Sequence, residues 1–69
     1  MNPRERELLQ GMVNCYHTCH ADFEGTVGMV GSAHGLSPEE VKEILARLKK
    51  AGGKDYEELR SGLPSEFPL

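Results

Sequence analysis

The sequence lacks tryptophan and contains only two tyrosines, two phenylalanines and two cysteines. Two cysteines are too few for the disulfide framework that stabilises many small secreted domains. No stretch approaches the roughly 20 apolar residues of a membrane-spanning helix, so we expect no association with a membrane. The charged residues 1–7 also lack the apolar core of a signal peptide. We therefore expect a cytoplasmic protein whose cysteines are reduced.

An excess of positive charge is also missing. The sequence contains eight lysines and arginines and eleven aspartates and glutamates, which gives a net charge of -3. Proteins that bind mainly to phosphates usually have a basic surface, so this balance weighs against nucleic acid as the partner. A hydrophobic content of 38% with 28% charged residues is typical of a folded globular domain. We expect one domain over residues 1–69, and a homodimer is one way for so small a core to gain stability.

The apolar periodicity predicts an all-α fold, a small bundle of three to four helices. Helices are predicted at residues 3–20, 26–34, 38–51 and 55–61, followed by a C-terminal tail at residues 62–69. The third helix has the clearest start, because Ser37 can cap it, Pro38 suits its first position and Glu40 completes a capping box. Asp55 is predicted to cap the last helix.

Three further packing expectations follow from residue types. Residues 21–25 are predicted to be a connector in which Phe23 anchors the chain. Gly31 lies inside a helix, where glycine is unfavourable, and we expect another helix to pass close to it. In the tail, Leu63 and Phe67 are expected to pack back onto the helices.

The segment from Thr26 to Ile44 resembles the helix-turn-helix family. A small residue, Gly31, lies near the middle of its first helix, Gly35 and Leu36 form the turn, and Val41 and Ile44 can seat the second helix. The matching pattern extends over residues 26–46. With the preceding helix it is similar to the trihelical, homeodomain-like core of that family, so the resemblance implies a bundle with a helix-turn-helix-like core.

The resemblance also implies a binding surface. In DNA-binding members the second helix of the pattern enters the major groove. The leading hypothesis is accordingly a small DNA-binding or transcription-associated regulator, and the alternative is a protein-interaction module that uses the same shape without nucleic acid. The two carboxylates near the start of the helix are unfavourable for DNA. The candidate residues for contact with DNA or a protein partner are Ser37, Glu39, Lys42, Glu43, Ala46, Arg47, Lys49 and Lys50.

Cysteine and histidine side chains offer a second hypothesis. Thiolate and imidazole groups suit Zn²⁺, and the candidate ligands are Cys15, Cys19, His20 and His34. The two cysteines are one helical turn apart and have no second well-spaced pair. We therefore expect that Cys19 lies in the core and Cys15 at its edge, as small apolar side chains, with no cofactor bound.

No catalytic arrangement is visible in the sequence. Cys19 and His20 are neighbours, but successive side chains on a helix diverge by about 100°, so they do not form a nucleophile and base pair. The glycines do not follow a strand as they do in a phosphate-binding loop. We expect a binding protein that is not an enzyme.

Overall fold

The computed structural model describes all 69 residues and contains four α-helices and no strand. The all-α prediction is confirmed. None of the helices has the length and apolar character needed to cross a bilayer. The helices are α1 (Pro3–Cys19), α2 (Phe23–His34), α3 (Pro38–Ala51) and α4 (Lys54–Arg60).

Helix α3 begins as its sequence predicts. The backbone N–H of Glu40 donates to the Ser37 hydroxyl at 3.2 Å, and the Ser37 backbone N–H donates to the Glu40 carboxylate at 2.9 Å. Helix α1 uses the same reciprocal arrangement between Asn2 and Glu5. Each capping box supplies side-chain acceptors to two backbone N–H groups that would otherwise lack partners at a helix start.

Two predicted helix starts are wrong. Helix α2 begins at Phe23 instead of residue 26, because the Asp22 carboxylate accepts a hydrogen bond from the Gly25 backbone N–H at 2.8 Å and caps it. The connector is therefore shorter than residues 21–25. Helix α4 begins at Lys54 without any side-chain cap, so Asp55 lies inside the first turn. This helix ends at Arg60, one residue before its predicted end.

The core collects apolar side chains from all four helices and from the tail. Helix α1 packs against the other three helices. The expectation that Cys19 lies in the core is wrong: Cys19 is exposed and Cys15 is half-buried. Cys19 is the last residue of α1, and His20 turns the chain away in a left-handed conformation with φ 53°. The buried apolar residues are Leu8, Leu9, Met12, Val27, Val30, Val41, Leu45, Leu48, Tyr56, Leu63 and Phe67.

Gly31 was predicted to lie against another helix, and both the turn before α3 and the first turn of α3 approach it closely. A Cβ atom on Gly31 would lie 2.7 Å from the Leu36 carbonyl oxygen and 3.1 Å from Val41 Cγ2. Gly35 ends α2 in the left-handed region with φ 69°, and Leu36 follows it by donating its N–H to the Gly31 carbonyl at 2.8 Å. The absence of a side chain at Gly31 thus allows the turn and the start of α3 to pack directly on α2.

The tail folds back onto the bundle, and one arginine holds it there. The Arg60 guanidinium donates to the carbonyl oxygens of Leu63, Ser65 and Phe67 at 3.1, 3.2 and 3.1 Å. Its Nε donates to Leu69 at 3.3 Å. The predicted packing of Leu63 and Phe67 is confirmed, because each is only 6% exposed.

Phe67 is the point at which the tail joins the helices. Its ring packs edge to face against Tyr16 of α1, with ring centroids 5.4 Å apart, and against Phe23 of α2, at 5.5 Å. Such aromatic pairs each contribute about 0.5–1.5 kcal/mol beyond the area they bury. The tail therefore connects the end of α4 to α1 and α2.

Substitution of Gly31 tests the close approach. In Gly31→Ala the added methyl group meets a backbone oxygen that cannot move cheaply, and such overpacking costs about 1–3 kcal/mol. The higher helix propensity of alanine offsets up to about 1 kcal/mol of this. We expect the free energy of unfolding, measured in urea, to fall by about 1–2 kcal/mol.

Gly28→Ala is the matched control, because Gly28 lies in the same helix as Gly31 and a Cβ atom on it would meet nothing within 4 Å. It is expected to stabilise the protein by up to about 1 kcal/mol through helix propensity alone. Equal effects of the two substitutions would contradict the close approach at Gly31.

The capping box of α3 gives a pH dependence with a definite sign. Hydrogen bonds from the Ser37 backbone N–H and the Ser37 side chain lower the pKa of Glu40 below its usual value. Folding therefore favours the charged carboxylate. Its contribution to the free energy of unfolding is complete above the pKa of the unfolded state and is lost as pH falls through the lower pKa of the folded state. In Glu40→Gln, the free energy of unfolding measured in urea should no longer include this part of the loss at acid pH. Glu39→Gln, in the same turn, should keep it, and a loss in both variants would assign the effect elsewhere.

Arg60→Lys tests the attachment of the tail. Lysine keeps the positive charge but offers one ammonium group where the guanidinium donates through three nitrogens. We expect a loss of about 1–3 kcal/mol in the free energy of unfolding and faster hydrogen exchange at the Phe67 amide. Arg4→Lys, at an exposed arginine of α1, should change neither measurement.

Candidate binding surface on α3

The predicted binding residues all lie on α3 or its cap, but the structure points them in different directions. The helix buries Val41, Leu45 and Leu48. At 100° per residue, Glu39 and Glu43 lie on the opposite, outward side, where both are exposed. The outward side of the first two turns is therefore acidic.

Four of the predicted residues line a shallow groove of about 540 Å³ beside the outward side. The floor and one wall are apolar, and three lysines stand around them. We call this feature the lysine-rimmed groove. It is formed by Phe23, Lys42, Leu45, Ala46, Lys49, Lys50 and Pro68.

The three lysines of the groove differ in their partners. Lys42 Nζ lies 2.8 Å from Glu24 Oε1 of α2, in an ion pair that is largely exposed. Such a surface pair contributes only about 0–1 kcal/mol. Lys49 and Lys50 form no ion pair with any carboxylate of the chain. Their place in the last turn of α3 stabilises the helix, because cations are favoured at its negative end, and leaves both ammonium groups free for a ligand.

Arg47 lies on the other side of α3. Its Nη2 is 3.4 Å from Glu5 Oε2 of α1, and the Arg47 side chain is 69% exposed. Together with Leu36, Ile44 and His34, the pair borders a second hollow between α1 and α3. Arg47 is thus separated from the lysines with which it was grouped in the sequence.

Ser37 is occupied as the cap of α3. Its hydroxyl accepts the Glu40 N–H and its backbone N–H is bound to the Glu40 carboxylate. A partner that used the Ser37 hydroxyl as an acceptor would compete with the start of the helix. The predicted surface is therefore carried by the remaining residues of α3.

The histidines that were considered as metal ligands lie apart from one another. The His20 ring packs against Tyr16, with centroids 5.5 Å apart, while His34 Nε2 lies beside Gly11, one turn before Cys15. His17, on a third side, donates from Nε2 to the Gly62 carbonyl at 2.9 Å. No group of three or more His, Cys, Asp or Glu side chains is placed to hold a metal ion.

The cysteines have a sulfur neighbour that the sequence did not indicate. The Cys15 thiol donates to Met29 Sδ of α2 at 3.9 Å. Burial raises the pKa of the Cys15 thiol, and the neighbouring Cys19 raises it further. A reactive cysteine needs the opposite, a lowered pKa that supplies thiolate at neutral pH.

Two residues of the lysine-rimmed groove were not among the predicted site residues. Phe23 reaches the groove from the first turn of α2, and Pro68 reaches it from the tail. The expectation that Phe67 packs back onto the helices was the one sequence signal for Pro68, because a docked Phe67 brings its neighbour to the same surface. Nothing local in the sequence indicated that this surface borders α3.

No protein-family model, curated protein or solved structure matches this chain.

Proposed function

We propose that the chain is a small non-enzymatic binding domain that recognises another protein through the lysine-rimmed groove. The observation that carries this proposal is the combination of an apolar floor with the free cations Lys49 and Lys50 at its edge. An acidic segment with an apolar side chain complements both features: its carboxylates meet the lysines, and its apolar side chain covers Phe23 and Pro68.

The charge around the groove favours a protein partner over DNA. If α3 lay in a major groove, Glu39 and Glu43 would be turned toward the DNA. Phosphates repel carboxylates, and the one lysine near the centre of α3, Lys42, already has Glu24 as a partner. A peptide can place its acidic side chains beside Lys49 and Lys50 only, whereas the phosphate backbone of a duplex is a continuous line of charge.

A non-enzymatic role agrees with the surroundings of Cys15. Burial raises the pKa of the Cys15 thiol, whereas a nucleophilic cysteine has a lowered pKa. We therefore place the function of the chain in binding.

DNA binding is the second candidate, and one specific observation favours it. Helices α2 and α3 are joined by the three residues Gly35, Leu36 and Ser37, a length typical of helix-turn-helix units. In this candidate Lys49 and Lys50 contact the phosphate backbone. The resemblance to the helix-turn-helix family belongs to this proposal.

Anisotropy titrations with two fluorescent probes separate the candidates. One probe is a peptide in which glutamates alternate with leucine and phenylalanine, and the other is a random-sequence DNA duplex. We expect the peptide to bind and its counterpart with glutamine in place of glutamate to bind weakly. In the double variant Lys49→Glu, Lys50→Glu, the affinity for the acidic peptide should fall by about tenfold or more, because two favourable surface charges become repulsive.

The control is the double variant Arg6→Glu, Lys54→Glu, which changes the net charge equally at exposed residues outside the groove. It should retain most of the affinity for the peptide. Binding of the duplex that weakens steeply with salt, and that rises in Glu39→Gln, Glu43→Gln, would replace the proposal with the DNA candidate. Binding of neither probe would refute both.

A further inference from the structure

A cysteine and a methionine meet through their sulfur atoms where α1 packs against α2, and a second cysteine follows one turn later on α1. Cys15 and Cys19 lie one turn apart on α1, and Met29 lies on α2 with its Sδ 3.9 Å from Cys15 Sγ. Residues one turn apart on a helix share a face, so Cys19 lies on the same side of α1 as Cys15. None of these residues takes part in the lysine-rimmed groove.

Burial explains only part of this arrangement. Cys15 is half-buried and packs against the core, but Cys19 is exposed and Met29 is 40% exposed. A large apolar side chain such as methionine is stabilised by burial, so core packing does not account for the exposed part of Met29. The exposure of these side chains also gives an ion a path from solvent.

The separation of the Cys15 and Met29 sulfur atoms matches that of two ligands on a common ion. Metal–thiolate bonds are about 2.3 Å long, so two sulfurs in a trigonal arrangement around one ion are about 4 Å apart. The distance from Cys15 Sγ to Met29 Sδ is 3.9 Å. We propose that Cys15, Cys19 and Met29 form a three-sulfur site for a soft monovalent metal ion of the Cu(I) type.

The donor set selects the class of ion. Thiolate and thioether ligands favour Cu(I), whereas structural Zn²⁺ takes four ligands from cysteine, histidine and carboxylate groups. The site offers two cysteines and a thioether, and His20 is directed to Tyr16. On binding, the two thiols release two protons to solvent and two Cu–S bonds form, while the neutral Met29 sulfur donates a lone pair. The oxidation state of the metal does not change.

The test is an anaerobic titration of the reduced 69-residue chain with Cu(I) supplied as its bicinchoninate complex. Loss of the coloured complex measures affinity, and near-ultraviolet thiolate-to-copper absorption reports the ligands. We expect one Cu(I) per chain. Met29→Leu should weaken binding by at least about tenfold, because loss of a residue that only supports a metal ligand already weakens metal binding by about that factor. Cys15→Ser and Cys19→Ser should each remove tight binding, and His20→Ala should leave it unchanged.

Circular dichroism of each variant verifies that the helices are retained, so that a loss of binding reports on ligands. Equal affinity of Met29→Leu and the parent chain would overturn the three-sulfur site. A loss in His20→Ala, two chains per copper in gel filtration, or Zn²⁺ binding as tight as that of Cu(I) would each overturn it as well.

Discussion

The attachment of the tail by Arg60 is the interaction on which the rest of this small structure depends. A chain of this size buries a limited share of its surface, and two of its core side chains, Leu63 and Phe67, come from the tail. Their backbone carbonyls would be unfavourable near the core without donors. The guanidinium supplies these donors from a single side chain, so the last residues add apolar area to the core without leaving polar groups unpaired.

The sequence predicted the fold best where the signal is local. The start of α3 follows from Ser37, Pro38 and Glu40 because the residues that form the capping box are close in the chain. The close approach at Gly31 was predictable because glycine inside a helix is unfavourable unless something needs the space. The start of α2 was missed because Asp22 precedes a single aromatic residue, and the apolar periodicity becomes visible only later in the helix.

Only the part of the binding surface that lies within α3 was predictable from the sequence. Helical periodicity indicates which residues of α3 share a side, so the acidic outward side could be recognised from the sequence. The partners that come from other helices could not, because Glu24 and Glu5 reach Lys42 and Arg47 through tertiary packing. The same limit explains why Met29 was not associated with Cys15, fourteen residues earlier in the chain.

The wall of the lysine-rimmed groove is made in part by Pro68, a residue with no helix of its own. The groove is therefore complete only in molecules whose tail is docked, and local detachment of a segment outside the helices is a low-energy opening in most domains. A ligand that requires the wall has an apparent dissociation constant equal to its intrinsic value divided by the docked fraction. By the same linkage, an occupied groove holds the tail in place, so ligand binding at α3 and docking of the tail are thermodynamically coupled.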